Sequence, residues 1–283
     1  MITVTRRRPD SRRSSRLFAH IPLIALVVFS VAPLLLLLIN SVKSDTEIKF
    51  SPLGWPSNWQ WSNFVDAWTT GSFTTGIFNS LVVSACTVLA VCLFGGLAAY
   101  SIARLEPPGG GAVITYFLVA STVPGILFLV PLFIIWSHLG LTNSRAGIIL
   151  LYVAMYLPYA ILLLRSYMVN LPREIEEAAR IDGCSEWHVF LRVVVPLSWP
   201  AFGTIALIVA IWSWNEFLFA VTFLQDPSVQ TVAVRYLQFT GQYVTNYAYT
   251  AAGGVIMILP AIILYLSLQK KFIEGVSAGG IKA

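Results

Sequence analysis

Residues whose types and spacing suit them to chemistry are few in this chain, and most of them fall in one charged stretch, Leu171 to Pro196. Pro172 suits the start of a helix, and Glu174, Glu176 and Glu177 favour its positive end. Arg180 follows Glu176 at i, i+4, a spacing that allows an ion pair, and Gly183 suits a left-handed stop. Ser185 then caps a second helix carrying Trp187, Phe190 and Leu191. Ala178 and Ala179 leave one side of the first helix nearly flat, so a partner groove can approach closely. Such a knob is suited to docking, and no paired carboxylates, histidine cluster or nucleophile motif points to an enzyme.

A second group lies in apolar surroundings. Glu216 is the one acid inside an apolar stretch, and a charge there is costly enough to need a reason. Two readings stand: a place on a solute pathway, or a structural hydrogen bond to a neighbouring helix. Tyr156, Trp212, Trp214 and Asn215 supply aromatic faces and an amide of the kind that hold sugars, and with Glu216 they are the pathway candidates. The three cysteines, Cys86, Cys92 and Cys184, and the three histidines, His20, His138 and His188, are scattered, which gives neither a disulfide framework nor a metal site. Gly109 to Gly111 is followed by no P-loop lysine, so ATP chemistry would have to come from another subunit.

The elements that must position these residues are set by hydropathy. Of 283 residues 57% are hydrophobic and 11% charged, and the mean hydropathy is +0.76, which excludes an ordinary soluble domain. A spanning helix needs about 20 apolar residues. Six stretches qualify: residues 17–39, 77–103, 112–137, 146–164, 193–224 and 248–269. The predicted class is an all-α membrane protein with six transmembrane helices.

Lys and Arg are unevenly shared between the two sides. Six arginines precede the first stretch, Arg104 follows the second, four arginines lie between the fourth and fifth, and three lysines end the chain. The other side holds Lys43, Lys49, Arg145 and Arg235. The positive-inside rule therefore places both termini in the cytoplasm. The net charge of +5 is accounted for by this orientation signal and implies no nucleic-acid partner. The first apolar run is longer than a signal peptide's and lacks a small-residue cleavage pattern, so it is read as a retained helix.

Residues 41–76 form an external segment rich in Trp55, Trp59, Trp61, Phe64 and Trp68, suited either to the membrane interface or to an external partner. Pro124, Pro131 and Pro158 predict kinks in the third and fourth spans. Gly95 with Gly96, and Gly253 with Gly254, predict close helix packing.

The charged loop also carries a resemblance. Glu177-Ala178-Ala179, three residues, Gly183, nine residues and Val193-Val194-Val195-Pro196 resemble the E-A-A-x3-G-x9-I-x-L-P signature of ABC importer permease subunits, with valine in place of the usual Ile and Leu. Ala98 to Arg104, Trp214 to Phe217 and Ser277 to Ala283 are similar to the maltose-type, carbohydrate subgroup.

The resemblance implies a type I importer architecture in which 170–196 is the coupling loop. It implies that Glu176, Glu177, Ala178, Ala179, Asp182 and Gly183 face an ATPase, and that Gly279, Gly280 and Lys282 reach the ATPase pair. Implied partners are a second permease subunit, two ABC ATPase subunits and an external solute-binding protein or lipoprotein. ATP and Mg would be bound by the ATPase, with no cofactor on this chain. The expected organisation is a basic tail (1–16), a first transmembrane helix (17–40), the external segment (41–76), a permease core (77–269) and a cytoplasmic tail (270–283). The implied cargo is a sugar or oligosaccharide; a rival keeps the fold and imports another polar solute such as glycerol phosphate. A stand-alone ion-coupled transporter would show several intramembrane charges and inverted repeats.

Overall fold

The computed structural model describes residues 11–239 and 246–280, which are helical with short connections. Four helices are long and apolar enough to cross a membrane unbroken: α1 (Ser11–Asn40), α4 (Phe73–Tyr100, continued by a π turn at Ser101–Leu105), α7 (Arg145–Val169) and α14 (Tyr247–Gly280). Two bent pairs pass the same test of length and composition, which gives up to six spans if each pair counts as one. The first joins α5 (Gly110–Thr122) to α6 (Leu129–His138) at 89°, and the second joins α9 and α10 (Glu186–Val189 and Val195–Leu197) to α11 (Trp199–Asn215) at 75°.

The first bend is the kink that Pro124 predicts in the third span, whereas the second divides a fifth stretch for which no kink was expected. Proline pushes the residue before it out of the helical region, and Val123 and Pro124 are both extended, at ψ 123° and 122°. The helix restarts only through a 3-10 turn at Gly125–Phe128. The expected span 193–224 is likewise divided. It turns at Ser198, and α11 ends at Asn215 before α12 (Leu218–Phe223). By contrast α7 runs unbroken through Pro158.

The core is built from α4, α7 and α11, with α14 against the outer side of α11 and α1 against α14. Glycine sets some of these approaches. A Cβ on Gly95 would stand 3.4 Å from the Ala160 methyl of α7, and one on Gly96 would meet the Phe202 ring of α11 at 2.8 Å. Gly253 holds α14 close to Phe239 and Phe73 in the same way. From His20 to Leu38 the apolar residues of α1 are largely exposed, which suits a hydrocarbon solvent rather than water.

The segment between α1 and α4 is folded, with α2 (Asp45–Phe50) and α3 (Ser62–Thr70) packed on α14. Its centre is Lys43, whose side chain is fully buried and whose ammonium donates to the carbonyls of Ser51 and Pro52 at 3.0 and 3.3 Å. Asn63 donates to the carbonyls of Ser41 and Lys43. Trp59, Trp61 and Phe64 stack in a row outside, with Trp59 and Trp61 exposed.

Candidate functional site

The charged loop forms the expected knob. α8 (Arg173–Ile181) begins after Pro172 and stops at Gly183, whose φ of +84° is the left-handed conformation that glycine adopts at no steric cost. Ser185 precedes α9 and hydrogen-bonds His188 at 2.9 Å. A second π turn, Phe190–Val194, connects α9 to α10.

Glu177, Ala178, Asp182 and Gly183 face outward, and Ala179 is half-buried against the core. Glu176 does not belong to that outward face. Its side chain is 2% exposed and meets the equally buried Arg104 guanidinium at 2.8 Å, so Glu176, against the expectation, turns inward and not toward an ATPase. The helical period explains this: Glu176 and Arg180 share the inner face, while Glu177 is turned about 100° away. Arg180 lies 3.6 Å from Glu176 and donates to Glu186 at 2.6 Å, and Glu186 accepts from the Tyr100 hydroxyl at 2.7 Å. Arg104 also donates to the carbonyl of Leu171.

The outer face includes a residue that the motif does not mark. Ile181 is 87% exposed, next to Asp182 and one turn after Glu177 and Ala178. A large apolar side chain so fully presented on a charged helix has the character of a docking anchor. The signal was available: an isoleucine four residues after Glu177 shares the face of that acid and not the face of Glu176 and Arg180.

The pathway candidates separate into two groups. Tyr156 and Trp212 meet at 5.5 Å between ring centroids, and Tyr159 joins Trp212 at 5.1 Å. Trp212 and Tyr159 are exposed, whereas Tyr156 is buried. Trp214 points elsewhere: it is buried and its indole donates to the Met257 carbonyl of α14 at 3.1 Å. It lines an apolar cavity of about 830 Å³ between α4, α11 and α14, away from the tyrosines. Asn215 is exposed and donates to Ile211 of its own helix.

Glu216 stands in the break between α11 and α12. Its carboxylate accepts the backbone N–H groups of Phe219 and Ala220 at 2.8 and 2.9 Å, and the Tyr152 hydroxyl of α7 at 2.6 Å. Amides at the opening of a helix lack intrahelical partners, and a carboxylate satisfies them. Of the two readings of Glu216, the hydrogen bond to a neighbouring helix is the one in place.

Residues 92–277, which contain the Arg104–Glu176 pair, the knob and the aromatic cluster, match the model of the family described as binding-protein-dependent transport system inner membrane component. The chain belongs to this family.

Full-length relatives agree. The permease is 33% identical to the diacetylchitobiose uptake system permease protein NgcG of Streptomyces coelicolor, over 98% of this chain and 92% of that one. It is 34% identical to the melibiose/raffinose/stachyose import permease protein MelC of Bacillus subtilis, over 88% and 91%. In fold it resembles a chain of the bacterial ABC transporter involved in the import of the acidic polysaccharide alginate, with a TM-score of 0.81 and 22% identity over 95% and 100%. The architecture is that of a type I ABC importer permease, an integral membrane transport component rather than an enzyme.

Two groups of expected residues fall differently on the permease. Gly279 and Gly280 end the α14 backbone, and Lys282 lies outside the described residues. Arg104, Tyr100, Glu186 and Tyr159 were not among the expected site residues. In the sequence Arg104 reads only as an orientation charge, because nothing in its neighbours reveals that a π turn aims it inward at α8.

Proposed function

We propose that this permease carries a sugar or oligosaccharide across the bacterial inner membrane, taking it from an external binding protein and drawing energy from ABC ATPases on the other side. The observation that carries the reading is the outward face of α8, where Glu177, Ala178, Ile181 and Asp182 form an acidic, partly apolar ridge ended by Gly183. Two small residues beside one large apolar one suit insertion into a cleft, and the resemblance of the motif makes that cleft an ATPase's. Both termini are assigned to the cytoplasm, on the excess of arginine and lysine there.

The working assembly has this chain beside a second permease subunit, on two ATPase subunits that hold ATP and Mg²⁺. The sugar cargo is supported by the import of diacetylchitobiose and of melibiose, raffinose and stachyose named for the relatives. The Tyr156, Trp212 and Tyr159 rings present aromatic faces to which the C–H face of a sugar can pack. Trp214 serves the α11–α14 contact instead.

The test is uptake by inverted-orientation-free proteoliposomes holding the whole transporter, with the ligand first identified on the purified binding protein. Uptake that requires ATP and ceases with Glu177→Arg is the expected result. Uptake that continues without ATP, or is unaffected by both Glu177→Arg and Gly183→Pro, would overturn the reading.

A further inference from the structure

The ionic groups around α8 close into a ring that begins on the π turn continuing α4 and ends on Tyr100, the last residue of α4. From Arg104 the contacts run to Glu176, across α8 to Arg180, to Glu186 of α9, and back to Tyr100. Arg104 and Glu176 are both 2% exposed, so this part of the ring is closed to solvent. The chain neighbours of α8 are α7 and α9, yet these side chains grip α4. Two π turns, Ser101–Leu105 and Phe190–Val194, meet here, with the Tyr100 and Phe190 rings 5.1 Å apart. A π turn is a costly local geometry that recurs at functional positions.

The opposite end of α4 is gripped as well. Asn79 donates to the carbonyls of Ser228 and Gln230 at 3.0 and 2.8 Å, and the Ser80 hydroxyl accepts from the Val232 amide at 2.9 Å. These bonds fasten the connection between α12 and α13 (Val232–Tyr236) to the first turns of α4. Asn79 is fully buried, and its two bonds are made to backbone, so they hold the connection itself and not a mobile side chain.

We propose that α4 is the rod by which movement of α8 reaches the far side of the membrane, with Arg104 the positioning residue that locks α8 to it and Asn79 the grip on the 228–232 connection. A helix of this length conveys displacement along its axis because its backbone hydrogen bonds are internally satisfied, whereas the chain paths through α9 to α11 cross a 75° bend. The route is independent of which solute is carried and rests on the proposed docking of an ATPase at α8.

The experiment uses the complete transporter, with permease pair, ATPases and binding protein, in lipid. The three native cysteines are replaced by serine, and a fluorescent maleimide is placed at Ser228→Cys, an exposed position on the gripped connection. ATP hydrolysis and the emission change produced by ATP, Mg²⁺ and vanadate are measured on the same preparation. In Arg104→Gln, and in parallel in Tyr100→Phe, which removes one oxygen and keeps the ring against Phe190, the emission change per assembled complex is expected to fall about fivefold or more while hydrolysis persists, the scale of a lost coupling. Arg104→Lys, which keeps the charge, is expected to recover part of it, and Lys49→Ala, far from the ring, to change neither. An emission change that survives both ring variants, or that falls only in proportion to hydrolysis as a plain loss of assembly would make it, overturns the proposal. A starting protein that hydrolyses ATP but shows no emission change likewise overturns the proposal, whereas a starting protein that binds no ATPase would instead contradict the proposed function.

Discussion

Arg104, at the end of α4, and Glu176, in the middle of α8, form a buried ion pair at 2.8 Å that joins two elements far apart in the chain. Removing one member of such a pair leaves an uncompensated charge away from water, at a cost of about 3–5 kcal/mol. The exposed pair Arg173 and Glu106, at 2.5 Å with both side chains largely in solvent, is screened by water and adds little to stability. Thermal unfolding of the detergent-solubilised protein should therefore shift far more for Glu176→Ala than for Glu106→Ala. Equal shifts would show that the buried pair does not hold α8.

Glu216 and Tyr152 join the α11–α12 break to α7. Glu216→Ala removes two backbone caps and the tyrosine's acceptor together, and a lost helix cap alone costs about 1 kcal/mol. Tyr152→Phe removes one of these bonds only. In a double-mutant cycle read by thermal unfolding the two losses should not add, because the second change finds the shared bond already gone. Additive losses would place the two side chains in separate interactions.

Glycine positions give a graded test. A Cβ on Gly147 would stand 2.0 Å from the Leu141 carbonyl oxygen, a backbone atom that cannot rotate aside. A Cβ on Gly183 would meet nothing within 4 Å, so alanine there carries only the left-handed strain, about 1–2 kcal/mol. Gly147→Ala should consequently lower the yield of folded protein well below that of Gly183→Ala. The reverse order in size-exclusion recovery would contradict the packing described at the start of α7.

Asp45 accepts from the Tyr247 amide at 2.7 Å and pairs with Lys49 at 2.5 Å. The hydrogen bond to Lys49 first, and those to the backbone of Tyr247 and Ala248 after it, hold its carboxyl below the usual range despite an opposing effect of burial. A folded-state value below the unfolded one, about 3.9, gives stabilisation that is present above that pH and is lost as pH falls through the folded value. The difference in unfolding temperature between the unaltered protein and Asp45→Asn should be present at pH 7 and shrink as pH falls below about 3.9, the unfolded value. A difference that stays unchanged as pH is lowered well below that value would show that the carboxylate charge contributes nothing.

The spans and the knob were legible in the sequence because apolar runs and the Pro172, acid, Gly183 pattern are local signals. The breaks were less so. Pro124 announced a kink, but whether a proline breaks a helix or is absorbed, as Pro158 is in α7, depends on neighbours. Glu176 and Glu177 are adjacent and chemically alike, and only the helical period together with Arg104 separates an inward lock from an outward contact. Arg104 itself was hidden because its partner is distant in sequence and its direction is set by a π turn, which no local pattern marks. Trp212 and Trp214 show the same limit, since two residues apart on α11 means nearly opposite faces.

The central claim is that the outward face of α8 is where an ATPase docks, and its most direct measurement is co-elution of the ATPase with the solubilised permease pair, comparing the unaltered chain with Ala178→Trp. Ala178 is exposed and touches no part of the core, so the indole leaves the fold intact while filling the space a partner would occupy. The expected result is an ATPase that co-elutes with the unaltered complex and is lost from Ala178→Trp at unchanged permease recovery. Co-elution undiminished by Ala178→Trp would contradict the account.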